Sequence, residues 1–319
     1  MRPLVSVVIP TYNHAHFLGR ALQSVVVQTY TNWEIVVVDN YSQDNTDEVI
    51  NQFKDPRIKH LKIHNNGVIA ASRNRGICEA NGEWLAFLDS DDCWYREKLD
   101  IMLRVEAADS YDVVCHDELM VNIKTGAKRI LRYGPYQRHF YRALLVEGNK
   151  LSPSATIVRR DALVRNSLAF NESRDYITAE DYDFWLNLAR MGARFRFIHE
   201  VQGEYVLHET NSSEMHSRHR ENIWNVLHDH VFKLQQFHPH PEILWKRVLC
   251  RLRLWQAREL VANGQPQSAL RLILEAAINS PSGTSLCIFS RLKSTMQNFA
   301  YNQAHFLKQG FLPKLKRTE

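Results

Sequence analysis

The segment from Trp84 to Trp94, WLAFLDSDDCW, passes from an apolar stretch directly into three acidic residues. The apolar half has the continuous hydrophobic character of a strand that is covered on both faces. Asp89, Asp91 and Asp92 follow at once, and carboxylates this close repel each other unless a cation or hydrogen-bond donors compensate their charge. The segment therefore predicts a buried strand that ends either at a ligand site or in water.

Similar apolar segments precede this strand, and helical patterns separate them. The strand-like segments are 4–10, 33–39 and 58–64, and the helix-like segments between them are 16–28, 45–53 and 67–80. Repeated β-α-β units of this size predict an α/β fold with a mostly parallel sheet flanked by helices. Ligands bind beyond the carboxyl ends of the strands in such sheets. Asp39 and Asp89 each end an apolar strand, so we expect both on one rim.

Composition and length indicate a soluble cytoplasmic protein. The chain of 319 residues is long enough for one large domain or two smaller ones, and its 45% hydrophobic and 24% charged residues are ordinary for a globular protein. Its apolar runs are far too short for a membrane span, and the first strand begins so early that we expect no signal peptide. The five cysteines are scattered without metal-site spacing, which favours a reduced compartment.

The composition changes after residue 214, where long helical patterns replace strands. We therefore expect an α/β domain over 1–214 and an all-helical, basic extension over 215–319. Residues 241–319 contain 12 Lys and Arg against 4 Asp and Glu. Six histidines lie between His216 and His240, and because no acids or cysteines complete an obvious site, they predict a solvated helix surface.

The acid cluster after the fourth strand has three interpretations on its own. It is typical of a solvated loop that caps the next helix. It is also similar to the Asp-x-Asp nucleophile of a phosphatase, although Cys93 stands where Thr or Val is expected. The third interpretation is a divalent-metal site, in which carboxylate oxygens hold Mg²⁺ or Mn²⁺ against the phosphates of a substrate. The cluster alone does not decide between the first and the third.

Five segments, taken in order, resemble the family 2 inverting glycosyltransferases of the GT-A fold. They span roughly residues 4–213 and follow the order and approximate spacing of that family. The segments are VSVVIPTYNHAHFLGRALQSV (5–25), IVVVDNYSQDNT (35–46), NNGVIAASRNRGICEANGEWLAFLDSDD (65–92), AEDYDFWLNLARMG (179–192) and YVLHETNSS (205–213). The resemblance implies a GT-A nucleotide-diphospho-sugar transferase fold, a nucleotide-sugar donor and a divalent metal, Mn²⁺ or Mg²⁺.

The resemblance also implies roles for individual residues of the donor site. Asp39 corresponds to the acid that binds the nucleotide base, and Arg73 lies in the helix that faces the diphosphate. Asp89 contacts the ribose and shares the metal with Asp91, while Asp92 has no definite role. The other residues implied in nucleotide-sugar binding are Pro10, Thr11, Tyr12, Asn40, Ser90 and Glu180.

The segment VDNYSQD stands here where VDDGSTD is usual, and two of its departures bear on the nucleotide. Asn40 replaces the second acid and can still bond a ribose or a base. Tyr41 replaces a glycine and adds bulk near the nucleotide, so the identity of the base stays open.

Asp181 has two interpretations. Thr178 and Asp181 have the spacing of a helix capping box, in which the acid bonds a backbone N–H, and the local pattern favours this role. The resemblance instead implies that Asp181 is the catalytic base, which takes the proton of a sugar hydroxyl as that hydroxyl attacks the anomeric carbon. Glu180 is then expected to shape the acceptor or donor-sugar pocket, and Asp183 to be a solvated helix residue.

His208 is a single histidine, and such residues are usually structural. The Tyr-x-x-His motif at 205–208 resembles that of the family, which implies that His208 is a third metal ligand or a donor to the leaving diphosphate. Ser212 and Ser213 are expected near the phosphates.

The sequence therefore predicts a metal-dependent glycosyltransferase of polysaccharide biosynthesis that inverts the anomeric centre. The donor is expected to be a UDP-sugar, and the acceptor a hydroxyl group of a glycan or lipid-linked glycan. Two alternatives stand beside this prediction. One is a nucleotidyltransferase, although residues 10–20 are poor in the glycines of a phosphate-binding loop, and the other is a non-catalytic helical adaptor with a degenerate nucleotide-sugar domain.

The basic segment 241–319 contains tryptophan and phenylalanine among its cations. This pattern predicts contact with an anionic surface at the inner face of the cytoplasmic membrane. A packed helix pair with a solvated basic face explains the pattern equally well. No nucleic acid partner is expected.

Overall fold

The computed structural model describes residues 2–208 and 216–281 of the chain. The strands in these ranges are β1 (Val5–Thr11), β2 (Trp33–Asp39), β3 (Ile58–Lys62), β4 (Trp84–Phe87), β5 (Cys93–Trp94), β6 (Val113–Asn122), β7 (Lys128–Leu131), β8 (Thr156–Arg159) and β9 (Phe195–Leu207). The helices are α1 (Ala15–Val26), α2 (Thr46–Gln52), α3 (Ile69–Glu79), α4 (Lys98–Asp109), α5 (Phe140–Glu147), α6 (Arg160–Asn166), α7 (Glu180–Arg190), α8 (His216–Asp229), α9 (Pro241–Ala262) and α10 (Pro266–Asn279). A π-helical turn, His230–Leu234, continues α8.

One sheet contains all of these strands in the order β3-β2-β1-β4-β8-β6-β9-β5, with β7 paired to β6. The first four strands of that order are parallel to one another, as the β-α-β pattern predicts. Beyond β4 the sheet is mixed, because β8 runs antiparallel to both β4 and β6. The predicted α/β fold is confirmed, and the mostly parallel character holds for its first half.

Helices cover both faces of the parallel half, which explains why β1, β2 and β4 are buried along their whole length. The edge strand β3 is only partly buried. On one face, Ile35 of β2 is in a single buried cluster with Leu18 and Leu22 of α1. On the other face, α3 lies so close to β1 that a Cβ atom at Gly76 would stand 2.3 Å from Val8 Cγ1. This close packing fixes the helix that carries Arg73.

The second half contains a strand that the sequence analysis did not predict. β9 extends over 13 residues and pairs in parallel with β6, with register shifts near His116 and Asp117. Its exposed and buried residues alternate irregularly, so it lacks the period of a simple strand. This strand ends next to His208.

The chain forms two compact units, of which one ends at Phe237 and the other begins at His238. The predicted boundary at 214/215 lies outside the described residues. In the second unit, α9 and α10 pack through Cys250, Leu254 and Ala276. In the part of the chain that the structure describes, no helix combines the length and the apolar character that crossing a membrane requires.

Candidate active site

The predicted rim acids lie at the carboxyl ends of neighbouring parallel strands. Asp39 is the last residue of β2 and is paired with Thr11 at the end of β1. On the other side of β1, Phe87 of β4 is paired with Val8, and Asp89 follows two residues later. The prediction that both acids share one rim is therefore confirmed.

Asp91 and His208, two of the predicted metal ligands, are in contact. His208 Nε2 lies 2.8 Å from Asp91 Oδ2, although 117 positions separate the residues. The side chain of His208 is buried against Phe17, with 4.7 Å between the two ring centroids. Burial, and then the neighbouring Asp89 carboxylate, raise the pKa of Asp91, so negative charge at this position is poorly compensated by the protein. Ser212 and Ser213 lie outside the described residues.

The two residues that neighbour Asp91 hold the acid loop in place. Ser90 is buried, and its Oγ lies 3.0 Å from His14 Nδ1 at the start of α1. Asp92 is also buried, and its Oδ1 accepts a hydrogen bond of 2.9 Å from the backbone N–H of Val206 in β9. Asp92, which had no definite role from the sequence, thus joins the acid loop to the strand that ends next to His208.

Arg73 connects the strand-end acid Asp89 to helix α7. Its guanidinium donates from Nη2 to Asp89 Oδ1 at 2.8 Å and from Nη1 to Glu180 Oε1 at 2.7 Å. Burial opposes the charge of Arg73, but the two carboxylates outweigh it and raise the pKa of this side chain. Glu180 Oε2 and Arg73 Nε are buried and have no hydrogen-bond partner among the described residues.

Asp181 lies in the first turn of α7, next to Glu180. The residue before the helix is Ala179, and α7 has no side-chain cap, so the capping-box arrangement is absent from this described helix. Asp181 is half-buried, and its Oδ2 lies 3.3 Å from Asn149 Nδ2. Burial, and then the Glu180 carboxylate, raise the pKa of Asp181 to about 7. A carboxyl group with that pKa can exchange a proton near neutral pH.

The loop after β2 shapes the rim where the nucleotide is predicted. Asp39 is fully buried, and its Oδ1 accepts hydrogen bonds from both the backbone N–H and the Oγ of Ser42. Asn40 Oδ1 accepts from the backbone N–H of Asn65 at 2.9 Å and so connects this loop to the loop before α3. Contact of Asp39 with a nucleotide base stays a prediction, and its burial favours a role in shaping the loop.

Three other residues predicted at the nucleotide differ in exposure. Pro10 is buried at the end of β1, and Thr11 Oγ1 is buried without a hydrogen-bond partner among the residues described. Tyr12 leaves 52% of its surface exposed. Tyr41, the departure from the family pattern, adopts a left-handed φ of 52° and stacks on His64 with 3.9 Å between ring centroids.

A second acidic group lies beside the predicted donor site. Ligand atoms of Asp39, Asp47 and His60 all lie within 4.8 Å of one another, which is compact enough to hold a metal ion. Lys62 Nζ, however, lies 2.6 Å from Asp47 Oδ2 and 3.9 Å from Asp39 Oδ2. An ammonium group therefore already supplies positive charge here, which favours the Asp91 side of the rim as the place for a cation.

Two expectations about solvated residues are wrong. Asp183 was expected to be a solvated helix residue but is buried. Its Oδ1 lies 2.9 Å from His230 Nε2, which gives the buried carboxylate a partner. His230 is fully buried, so the histidines between 216 and 240 do not all lie on a wet surface. On its other side, His230 Nδ1 lies 2.9 Å from the hydroxyl of Tyr141. A sequence signal was present, since an acid within YDFW is surrounded by large apolar residues and needs a partner.

Comparison with protein families identifies one match in the first half of the chain. The model described as Glycosyl transferase family 2 matches residues 6–165. WfgD of Escherichia coli, a UDP-Glc:alpha-D-GlcNAc-diphosphoundecaprenol beta-1,3-glucosyltransferase, is 28% identical over 72% of this chain and 87% of its own length.

Two solved structures share the fold at low sequence identity. The mannosyltransferase PcManGT from Pyrobaculum calidifontis, in complex with GDP-Man and Mn²⁺, has a TM-score of 0.61 and 20% identity over 98% of this chain and 88% of its own. S. aureus TarS 1–349 in complex with UDP-GlcNAc has a TM-score of 0.58 and 18% identity over 84% of this chain and 90% of its own. The predicted GT-A fold is confirmed.

Proposed function

The chain belongs to glycosyl transferase family 2, and on this premise we propose that it transfers a sugar, with inversion, from a UDP-sugar to a hydroxyl group of a glycan or lipid-linked glycan. The observation that carries the proposal is the bridge made by Arg73, which contacts Asp89 at the strand rim and Glu180 beside Asp181. This bridge brings Asp89, the acid on the donor side, into one site with Asp181, the half-buried carboxyl group whose pKa is raised. The name of WfgD, with its UDP-Glc donor and diphosphoundecaprenol acceptor, supports the choice of substrates.

The residues of the rim fit a divalent metal. Asp91, Asp89 and His208 offer carboxylate oxygens and an imidazole nitrogen, which suit Mn²⁺ or Mg²⁺. Burial and Asp89 disfavour the charge of Asp91, so a cation would relieve a real electrostatic cost. When bound, the ion would neutralise charge on the departing diphosphate as a Lewis acid. The Mn²⁺ of the PcManGT complex supports this choice of metal.

The proposed chemistry of the protein residues begins with Asp181. Its ionised carboxylate accepts the proton of the acceptor hydroxyl while that oxygen attacks the anomeric carbon. Because a single displacement breaks the bond to the diphosphate on the opposite face, the anomeric configuration inverts. Asn149 donates to Asp181 Oδ2 and restricts its orientation, and Glu180, which is held by Arg73, is proposed to shape the sugar pocket.

The nucleotide is proposed to lie over the ends of β1 and β2. Tyr12 is exposed there, and the hydroxyl of Thr11 has no partner among the described residues. Asn40 and Ser90 hold the surrounding loops through Asn65 and His14, and are proposed to contact the donor as well.

Family membership weighs against both alternative functions. A nucleotidyltransferase makes an activated sugar rather than using one, and a degenerate adaptor would not need Asp91 or Asp181. The chain retains both acids. For the segment 241–319, contact with an anionic membrane at the cytoplasmic face stays part of the proposal, on the evidence of its charge.

The function is tested by incubating the full chain with Mn²⁺, UDP-glucose and a synthetic lipid carrying α-GlcNAc-diphosphate. The expected product contains a new β-glycosidic bond, identified by the anomeric coupling in proton NMR, together with one UDP for each sugar transferred. UDP-GlcNAc, UDP-galactose and GDP-mannose serve as alternative donors in parallel. Retention of configuration, or synthesis of a nucleotide sugar from a sugar phosphate, would contradict the proposal.

A further inference from the structure

Helix α8 lies along the chain segment that leads to Asp181. Tyr176 donates its hydroxyl hydrogen to Asp229 Oδ2 at 3.0 Å. The side-chain amide of Asn222 donates to the backbone carbonyl of Ile177. Two contacts from a later helix thus hold the residues that come just before α7.

Thr178, three residues before Asp181, has a strained backbone. Its φ of 69° is in the left-handed region, which a β-branched residue rarely adopts. Its Oγ1 lies 2.9 Å from Nδ1 of His219 in α8. Strain of this kind persists only where surrounding contacts enforce it, and it is concentrated at functional sites.

A buried polar network fixes the first turn of α7 from the other side. Asp183, His230 and Tyr141 are all at most 9% exposed. His230 Nε2 lies 2.9 Å from Asp183 Oδ1, and its Nδ1 lies 2.9 Å from the Tyr141 hydroxyl, so both ring nitrogens have a partner. Burying these groups costs free energy unless every bond is made. The network therefore specifies one relative placement of α5, α7 and the turn after α8.

The N-terminus of α7 needs such support from other parts of the chain. The helix begins without a side-chain cap, so its first turn depends on outside contacts for its position. A catalytic base must be held within a fraction of an ångström, because small misplacements cost large factors in rate. Tyr182, the neighbour of Asp181, adds a further bond from its hydroxyl to the backbone carbonyl of Leu144 in α5.

We infer that α8 and its following turn position Asp181, with His230 as the central positioning residue. The inference rests on the proposed role of Asp181 as the base. His230 is fully buried and acts through Asp183 on the turn that presents the carboxylate. The region 216–234 is thus part of the catalytic unit rather than an appended tail.

The test compares Tyr141→Phe, His230→Leu and His230→Gln in the full chain, with UDP-glucose and the GlcNAc-diphospholipid as substrates. Tyr141→Phe and His230→Leu are expected to lower kcat by tenfold or more while leaving the KM for UDP-glucose within twofold. His230→Gln keeps an N–H for Asp183 and should recover a large part of kcat. Tyr30→Phe is the matched control, since it removes a tyrosine hydroxyl from a buried residue that donates to Pro3 on the N-terminal side.

The thermal midpoint of unfolding is measured for each variant. The inference is supported if Tyr141→Phe and the Tyr30 control lose similar stability but only the former loses kcat. If Tyr141→Phe and His230→Leu keep full kcat while melting earlier, the network is structural only and the inference is overturned. Asp181→Asn is measured alongside them. Absence of transfer by the unaltered chain would remove the proposed function, and full turnover by Asp181→Asn would remove the base role on which this inference rests. An inactive Asp181→Asn beside fully active network variants would overturn only this inference.

Discussion

Arg73 Nη1 lies 2.7 Å from Glu180 Oε1, although 107 positions separate the two residues in sequence. Both side chains are buried, and the same guanidinium also holds Asp89. This ion pair joins helix α3 to helix α7 across the site. Helix α3 is fixed by its close packing on β1. The ion pair therefore also fixes α7, which carries the candidate base, relative to the sheet.

Replacing Arg73 with methionine should destabilise the protein strongly. The change leaves Asp89 and Glu180 without their common cation, and breaking a buried pair in this way costs about 3–5 kcal/mol. Urea denaturation measures the loss. In the double variant Arg73→Met/Glu180→Gln, the free energy of unfolding should fall by less than the sum of the single changes, since the uncompensated charge is removed.

The matched control for this prediction is on the same helix. Arg75 pairs with Glu79 at 2.6 Å, but both side chains are more than a third exposed. Arg75→Met should cost no more than about 0.5 kcal/mol. Equal losses for Arg73→Met and Arg75→Met would show that the buried bridge does not hold the site together.

Asp181→Asn should lower kcat by roughly 10²-fold or more, because the amide cannot accept the proton of the acceptor hydroxyl. Binding of UDP-glucose should be unchanged, as measured by titration calorimetry. Asp161→Asn changes a largely exposed acid elsewhere in the domain and should leave kcat alone. Normal turnover by Asp181→Asn would remove the base role from this residue.

The pH dependence of kcat should report the titration of Asp181. Since burial and Glu180 raise its pKa to about 7, the base is mostly protonated below that pH. We therefore expect kcat to rise about tenfold per pH unit below 7 and to level off above it. A profile that is flat between pH 5 and 8 would contradict the assignment.

The same titration should affect stability. In the unfolded chain an aspartate has a pKa of about 3.9, so the folded protein binds more protons between that value and 7. The contribution of Asp181 to the free energy of unfolding therefore falls as pH rises through this window. Asp181→Asn should remove that dependence, which chemical denaturation at pH 5 and pH 8 would reveal.

The sequence predicted the rim of the site well because its signals are local. Residues 35–38 form a continuous apolar run that ends at Asp39, and the three acids after β4 stand close to the end of another. The apolar neighbours of Asp183 are a local signal of its burial, but its partner His230 lies 47 positions away and no local pattern identifies that partner. β9 escaped prediction for a related reason, since its charged residues break the period that marks a strand.

The metal is predicted to bind at Asp91 and not at the neighbouring acidic group that contains Asp47, and two variants distinguish these positions. Asp91→Asn should abolish both transfer and the Mn²⁺-dependent part of UDP-glucose binding while leaving the thermal midpoint nearly unchanged. Asp47→Asn alters the group that already contains Lys62, and it should keep metal-dependent binding. Treatment with EDTA followed by added Mn²⁺ completes the test. Loss of metal dependence in Asp47→Asn instead would move the cation to that group.

The last prediction concerns the basic segment 241–319, which contains 12 Lys and Arg against 4 Asp and Glu. Each cation close to an anionic membrane contributes about 1 kcal/mol, and that attraction is screened over a Debye length of about 8 Å at physiological ionic strength. The full chain should therefore sediment with vesicles that contain phosphatidylserine and remain in solution with pure phosphatidylcholine. Raising the salt to 1 M, where the Debye length is about 3 Å, should release it.

Two exposed cations of α9, Lys246 and Arg258, allow a sharper version of this test. If both approach the lipid, replacing them with glutamine should weaken vesicle binding by about 2 kcal/mol, or roughly thirtyfold. Lys54→Gln removes an exposed cation from the first unit and serves as the control. Vesicle binding that is absent, or that is equal for all variants, would assign the basic residues of α9 to a solvated face of a packed helix pair.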